Sequence, residues 1–590
     1  MRREPIGRNK LDTRRHAQFQ IAHYLDIDQS ATQLAHQRAR PCQHSPPATP
    51  PPPPSINSHG HHLDILLSPV VTFTHRRPCA PEPADKEVSN LHSLPSRCST
   101  LLWRTHQRVL GHRRHHLPAT DHEHQSSLFI NMHSSFLSRA ATALLLGCNL
   151  VSAIDLDIDS ADSIKNAAAT IAYDMMSYYK GNTSGGIIGV LPGPPPDPTW
   201  GYYWWESGAM WGTMIDYWHY TNDTSYNDVV YAGVQWQVGE NDDMMPSNWS
   251  QSMGNDDQAF WGMTAMLAAE YNFQNPPPTA PQWLALAQAV FNTQAVRPDT
   301  TCGGGLRWQV YPYLTGYDYK NSIANGCFFN LGARLARYTN NQTYADYAEK
   351  TWTWITGVGL MDADYNIYDG AHIEDNCTDI NKVQFSYNMA VWLLGAANMY
   401  NYTNGSAIWQ ERTTGLLNTT LNLFFPNDIA YEVACETKLT CTTDMYSFKA
   451  YLTRWLASTT KMAPFTYDLI MPRLRASAIA AAAQCVGGSN GRTCGLSWSK
   501  APAWDGTYGV GQQMAAMSAI FVNLLPLENV APPVTNVTGG TSVGNSNAGS
   551  QSVANPEALL PVASKDKVGA GILTTVVLLG ATGMFGWMSL

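Results

Sequence analysis

Between residues 154 and 528, apolar side chains recur at spacings of three and four, the period of a helix that turns one face to a core. The pattern predicts twelve helices, over 161–179, 204–220, 226–238, 256–271, 281–296, 322–339, 344–356, 383–402, 406–423, 446–459, 466–485 and 510–525. Period-two alternation is scarce. The breaks between helices are Gly, Pro, Asn and Asp clusters such as Gly193-Pro194-Pro195-Pro196 and Pro276-Pro277-Pro278. Twelve helices in sequence read as six hairpins, which need a ring or a solenoid to bury their apolar faces. A solenoid would repeat a motif and carry polar capping repeats. Here each hairpin has its own signature, so the expected fold is all-α, a closed (α/α)6 barrel of six inner and six outer helices in one domain.

The ends of the chain read differently. Residues 1–131 mix Arg/His runs, a Pro run (Pro50 to Pro54) and scattered apolar residues with no lasting period, and are expected to be disordered or a gene-model extension. Residues 132–153 (MHSSFLSRAATALLLGCNLVSA) have the charged start, short apolar stretch and small-residue end of a signal peptide. At the other end, 568–590 is an uncharged apolar run following Lys565, Asp566 and Lys567, preceded by a Gly/Ser/Asn/Pro-rich linker at 529–567. Small residues, polar spacer and apolar tail together read as a glycosylphosphatidylinositol (GPI) anchor signal, with Asn547 as the attachment residue. The protein is therefore expected in the secretory pathway and at the outer leaflet of the plasma membrane.

Charge divides the chain in the same places. The formal net charge of −9 is the sum of a basic leader and an acidic core: residues 1–131 hold 16 Lys+Arg against 10 Asp+Glu, and residues 154–528 hold 18 against 34. A core of that sign excludes a nucleic-acid partner, which would need a basic face. Nine N-x-[ST] sequons, at Asn182, Asn222, Asn248, Asn341, Asn376, Asn401, Asn404, Asn418 and Asn536, all follow residue 154, as expected of a secreted glycoprotein. Of the seven cysteines past residue 154, Cys435/Cys441 and Cys485/Cys494 are the nearest neighbours, and one thiol must be left over. No C-x-x-C spacing occurs, so neither a metal nor a cofactor is assigned.

Candidate chemistry gathers in the connectors. Trp204, Trp205, Trp308 and Tyr317 stand beside Gly and charged residues, where a flat ring can present its face to a sugar while its N–H or O–H finds a partner. Glu206, Asp318, Asp369 and His372 are the polar companions. Asn255-Asp256-Asp257 opens a helix and reads locally as a cap with acids in the first turn. The same adjacent carboxylates on an inner ring would also supply the pair that glycoside hydrolysis requires, one ionised and one protonated. Spacing along the chain does not decide between inversion and retention. A Ser-His-Asp hydrolase is unsupported, since no G-x-S-x-G elbow occurs, and Gly303-Gly304-Gly305 is not followed by the Lys of a phosphate loop.

Five segments carry a family resemblance: YYWWESGAMWGTMIDYW (202–218), NDDQAFWGMTAMLAAEY (255–271), CGGGLRW (302–308), DGAHIEDNCTDINKVQFSY (369–387) and GTYGVGQQMAAMSAI (506–520). They resemble glycoside hydrolase family 76, and within it the fungal GPI-anchored mannan endo-1,6-α-mannosidases. The resemblance implies an (α/α)6 barrel and a retaining attack on α-1,6-mannosidic linkages, with Asp256 as nucleophile and Asp257 as acid/base. It implies α-1,6-mannan or the GPI-core glycan as substrate, and transfer to a β-glucan acceptor in wall assembly. A wall-anchored mannan-binding protein with little turnover is the alternative, which the intact Asp pair disfavours.

Overall fold

A computed structural model describes residues 154–195, 201–550 and 564–588. The leader 1–131 and the signal peptide 132–153 lie outside the described residues. Twelve helices occupy the predicted places: α1 (Ala161–Met176), α2 (Trp204–Thr221), α3 (Asn227–Trp236), α4 (Asn255–Glu270), α5 (Trp283–Ala295), α6 (Ser322–Thr339), α7 (Gln342–Val358), α8 (Ser386–Tyr402), α9 (Ala407–Phe424), α10 (Phe448–Met462), α11 (Tyr467–Gln484) and α12 (Val510–Phe521). A thirteenth, α13 (Ser564–Met588), is the C-terminal apolar run, and by length and composition it could cross a membrane.

The even-numbered helices pack in sequence order, α2 on α4, α4 on α6 and onward to α12, which returns to α2 and closes the inner ring. Odd-numbered helices lie outside, each against its hairpin partner or the next inner helix. Burial separates the two sets. All of Val510–Phe521 and all of α6 except Thr339 are buried, as inner helices must be on every side, whereas α9 buries a single stripe. Small residues let the helices approach: a Cβ on Gly262 of α4 would press on Val290 of the outer α5, and one on Gly326 of α6 on Val391 and Trp392 of α8.

Buried ion pairs fasten the ring. Glu270 of α4 accepts from Arg334 (2.6 Å) and Arg337 (2.8 Å) of α6, and Asp216 of α2 pairs with Arg454 of α10. Removing one partner of such a cluster leaves desolvated charge unmatched. Glu270→Ala is expected to cost about 3–5 kcal/mol, read as a lowered midpoint in denaturant at unchanged slope.

The predicted helix starts differ most at α8. Val383 to Phe385 continue the apolar period, but the helix begins at Ser386, whose N–H and hydroxyl both go to buried Glu432. Short strands decorate the mouth of the barrel: β1 (Tyr319–Asn321), β2 (Gly370–His372) and β3 (Ile380–Asn381) form one antiparallel sheet, and β4 (Cys485–Gly487) pairs with β5 (Thr493–Cys494). Disulfides join Cys302 to Cys377, Cys435 to Cys441 and Cys485 to Cys494, and Cys327 is the buried thiol left over. All nine sequon asparagines are exposed.

The Gly/Ser/Asn-rich stretch after the barrel, which composition reads as a tether, runs along the barrel wall as far as residue 550. Val534 N–H donates to Glu270 O, Asn536 N–H to Tyr338 O, and Leu284 N–H to Ser542 Oγ. Gly540 and Gly544 sit where a Cβ would meet Tyr338 and Leu284. Close approach explains these small residues.

Candidate active site

Every inner helix starts at the same end of the barrel, and there a cavity of about 280 Å³ opens. Tyr203, Trp204 and Trp205 come from the start of α2, and Asp256, Asp257 and Phe260 from α4. Ile323 of α6, Tyr387 of α8 and Phe448 of α10 complete the wall, with Trp308, Tyr319, Asp369 and Asp444 arriving from connectors. Aromatic faces dominate: Tyr387 stacks on Phe448 at 3.8 Å, and Trp205 tilts against Phe260 at 4.7 Å. Among the described residues no Lys or Arg lines the cavity.

The carboxyl groups are held by the ends of these helices. Asp257 Oδ2 accepts the Gly254 N–H (2.7 Å), one of the donors a helix start leaves unpaired. Asp256 Oδ1 accepts the Asp257 N–H (3.1 Å). Burial pushes Asp256 well above the usual carboxylate range, and the charge of Asp257 adds to the rise. Burial also pushes Asp257 up, to about 6, against the Gly254 N–H that favours its ionised form. Asp444 is pushed up to about 7 by burial, with Asp257 adding to the rise, although the Trp205 indole N–H donates to it (3.1 Å). Asp369 is raised to about 6 by burial and accepts the Tyr319 hydroxyl (2.8 Å). At neutral pH this cluster holds at least one proton close to an ionised neighbour, the condition for paired acid and nucleophile work.

Of the residues singled out in the sequence, Asp256, Asp257, Trp204, Trp205, Trp308 and Asp369 line the cavity together. Glu206 lies behind them, fully buried, and accepts the Tyr203 N–H (2.8 Å), so it fixes the chain entering α2. Tyr317 stacks under the Arg307 guanidinium at 4.4 Å, outside the lining. Asp318 and His372 pair with each other at 2.5 Å, exposed on the outer edge of the β1–β2 ribbon and also outside the lining. Asp444, Tyr203, Tyr319, Tyr387 and Phe448 were not anticipated. Asp444 sits just before α10 and just after the Cys435–Cys441 loop, and a lone acid there carries no local sequence signal, unlike the adjacent pair Asp256/Asp257 within the first turn of α4.

Gly254 crowds the pair. Its φ of −83° suits any residue, but a Cβ there would overlap Asp256 Oδ1 and come within 3.3 Å of the Trp308 carbonyl. Gly254→Ala is expected to lower kcat/KM by about 10–100-fold through displacement of the carboxylate, with little change in Tm, as parallel kinetics and thermal melts would show.

The model of glycosyl hydrolase family 76 matches residues 163–536, spanning all twelve barrel helices but the first two residues of α1. The chain belongs to glycosyl hydrolase family 76. Mannan endo-1,6-alpha-mannosidase DCW1 of Saccharomyces cerevisiae is 47% identical over 437 residues, 74% of this chain and 95% of the relative. Its counterpart DFG5 from the same yeast is 41% identical over 466 residues, 78% of this chain and 100% of the relative. The crystal structure of Dfg5 from Chaetomium thermophilum, in complex with glucosamine, is 51% identical with a TM-score of 0.66, covering 68% of this chain and 99% of that one. Family membership makes this chain a glycosidase with an (α/α)6 barrel.

Proposed function

We propose that the protein is an endo-acting, retaining α-1,6-mannosidase of the fungal cell wall. The observation that carries the reading is the adjacent pair Asp256/Asp257 at the start of α4, inside an aromatic cleft, in a chain 41–47% identical to proteins named mannan endo-1,6-alpha-mannosidases. Asp256 attacks the anomeric carbon and forms a glycosyl-enzyme ester. Asp257 gives its proton to the departing sugar oxygen, then takes one from the incoming hydroxyl. In the empty cleft the Gly254 N–H favours the carboxylate on Asp257; a glycosidic oxygen docked beside it supplies the acceptor that draws the shared proton there. Trp205, Trp308 and Tyr387 offer faces for the mannose rings, and Asp369 and Asp444 accept from their hydroxyls.

The incoming hydroxyl is water in hydrolysis and a sugar of wall β-glucan in transfer. The substrate is α-1,6-mannan or the mannose-containing core of a GPI glycan. The protein reaches it from the outer leaflet, after removal of the signal peptide 132–153 and replacement of everything beyond Asn547, the apolar tail 568–590 included, by a GPI anchor joined to the Asn547 carbonyl. Product analysis with an α-1,6-mannan oligosaccharide and a β-glucan oligosaccharide tests this. A hybrid oligosaccharide is expected from transfer and free reducing mannosides from hydrolysis; neither product would overturn the reading.

Asp444→Asn keeps an acceptor for the Trp205 indole while removing a like charge that helps raise Asp256. The pH profile of kcat/KM, which follows the protons shared by the pair, is expected to move to lower pH.

A further inference from the structure

The strap that follows the barrel travels in one direction. It begins at the end opposite the cleft, where Val534 N–H donates to Glu270 O, Asn536 N–H to Tyr338 O, and the Asn272 side chain to Gly539 O (2.9 Å). It then climbs the outside of α5 from start to finish: Leu284 N–H donates to Ser542 Oγ (2.9 Å), and Asn545 N–H to Gln288 Oε1 (2.6 Å). Near the top the Asn292 side chain donates to both Ser546 O (2.9 Å) and Ala548 O (2.8 Å). Two residues further along α5, Gln294 donates to Asn255 O (2.7 Å), at the level where α4 and the Asp pair begin. Two residues are about 3 Å of helix. The strap therefore ends within a helical turn of the catalytic level.

We propose that this strap sets how the barrel stands on the membrane: it delivers the anchor to the mouth side, so that the cleft opens toward the leaflet. The inference rests on the reading of 568–590 as an anchor signal. Attachment at Asn547 releases everything after it, so the anchor is joined one residue beyond Ser546, which the Asn292 side chain holds near the mouth end of α5, on a barrel roughly 50 Å across. Such a link is too short to let the far end of the barrel meet the lipid as readily as the mouth. Large apolar residues are exposed at both ends, Ile187, Tyr313, Val383, Leu439 and Tyr508 around the mouth and Ile408, Phe465, Leu469, Leu527 and Val537 at the other, so either end could meet lipid and the strap decides which one does. Apolar and aromatic side chains of this kind settle at the boundary of headgroups and acyl chains.

The test uses the full-length anchored protein in phosphatidylcholine vesicles doped with a headgroup-quencher lipid. A fluorophore is placed on Tyr313→Cys at the rim or on Ile408→Cys, exposed at the opposite end. Quenching of the rim label is expected to exceed that of the far label several-fold. Adding Asn272→Ala and Asn292→Ala should bring the two labels toward equality while leaving cleavage of a soluble α-1,6-mannan oligosaccharide unchanged, which shows the barrel intact. Equal quenching with the strap unaltered, or stronger quenching of the far label, overturns the orientation alone. Protein that does not stay with vesicles overturns the anchor reading and this inference with it; protein that stays but resists a phosphatidylinositol-specific phospholipase overturns the GPI chemistry, and the labels still report the orientation.

Discussion

Asp256→Asn is expected to abolish turnover, with a loss of about 10⁴-fold or more in kcat, while the protein still binds α-1,6-mannosides. The amide keeps the shape of the side chain and an acceptor for the Asp257 N–H, so the helix start survives. It cannot form a stable glycosyl ester, because its nitrogen and oxygen lack the charge that attacks the anomeric carbon. Calorimetric titration with an α-1,6-mannan oligosaccharide reads the retained binding, and a reducing-end assay the lost turnover. Activity that survives undiminished would mean that another group, with Asp444 the nearest, forms the intermediate.

The second large effect concerns Asp257. Its carboxyl is raised to about 6, so its protonated form persists well above the usual carboxylate range and is lost as the pH climbs through that value. The pair works with one proton between its carboxyls, so kcat/KM is expected to rise as the first proton leaves near 6 and to fall tenfold per unit on an alkaline limb at higher pH, where Asp256, held well above the usual range, gives up the second. Asp257→Asn should remove this limb and slow cleavage of mannan by about 10²–10⁴-fold. An aryl mannoside whose leaving group departs without a proton should lose far less in the glycosylation step. A variant that keeps the limb would assign it to a different carboxyl of the cleft, and Asp444, pushed up to about 7, is next in line.

The barrel was legible because each helix carries its own apolar period and because a ring of hairpins is a strong solution to burying them. The limits of the reading are physical. At α8 Val383 and Phe385 fit the apolar period, but Phe385 is extended and lines the cleft, and the helix begins only where Glu432 captures the Ser386 N–H and hydroxyl. The Asp256/Asp257 pair stood out as two acids at a helix start, a local pattern. Asp444 did not, because a single Asp after a six-residue disulfide loop has no local signature, and only ring closure brings it to Trp205. His372 and Asp318 looked like sugar-binding companions of the aromatics from their neighbours in sequence, whereas at the β1–β2 ribbon they pair with each other, exposed and outside the lining. The stretch 530–550 misleads for another reason: Gly chosen for close approach and Gly chosen for slack are identical in composition, and only Tyr338 and Leu284 tell them apart.

A cleft walled by carboxyls, with no cation lining it among the described residues, also selects by refusal. A phosphate ester or a uronate seated beside Asp256, Asp257 and Asp444 would bring a further negative charge into a space already short of water, and would find no guanidinium or ammonium on the wall to meet it. Neutral mannose rings carry no such penalty, and a sugar bearing a protonated amine would gain from the same field. Phosphorylation of a mannan branch would thus act as a stop mark, sparing that stretch of polymer without any change in the enzyme.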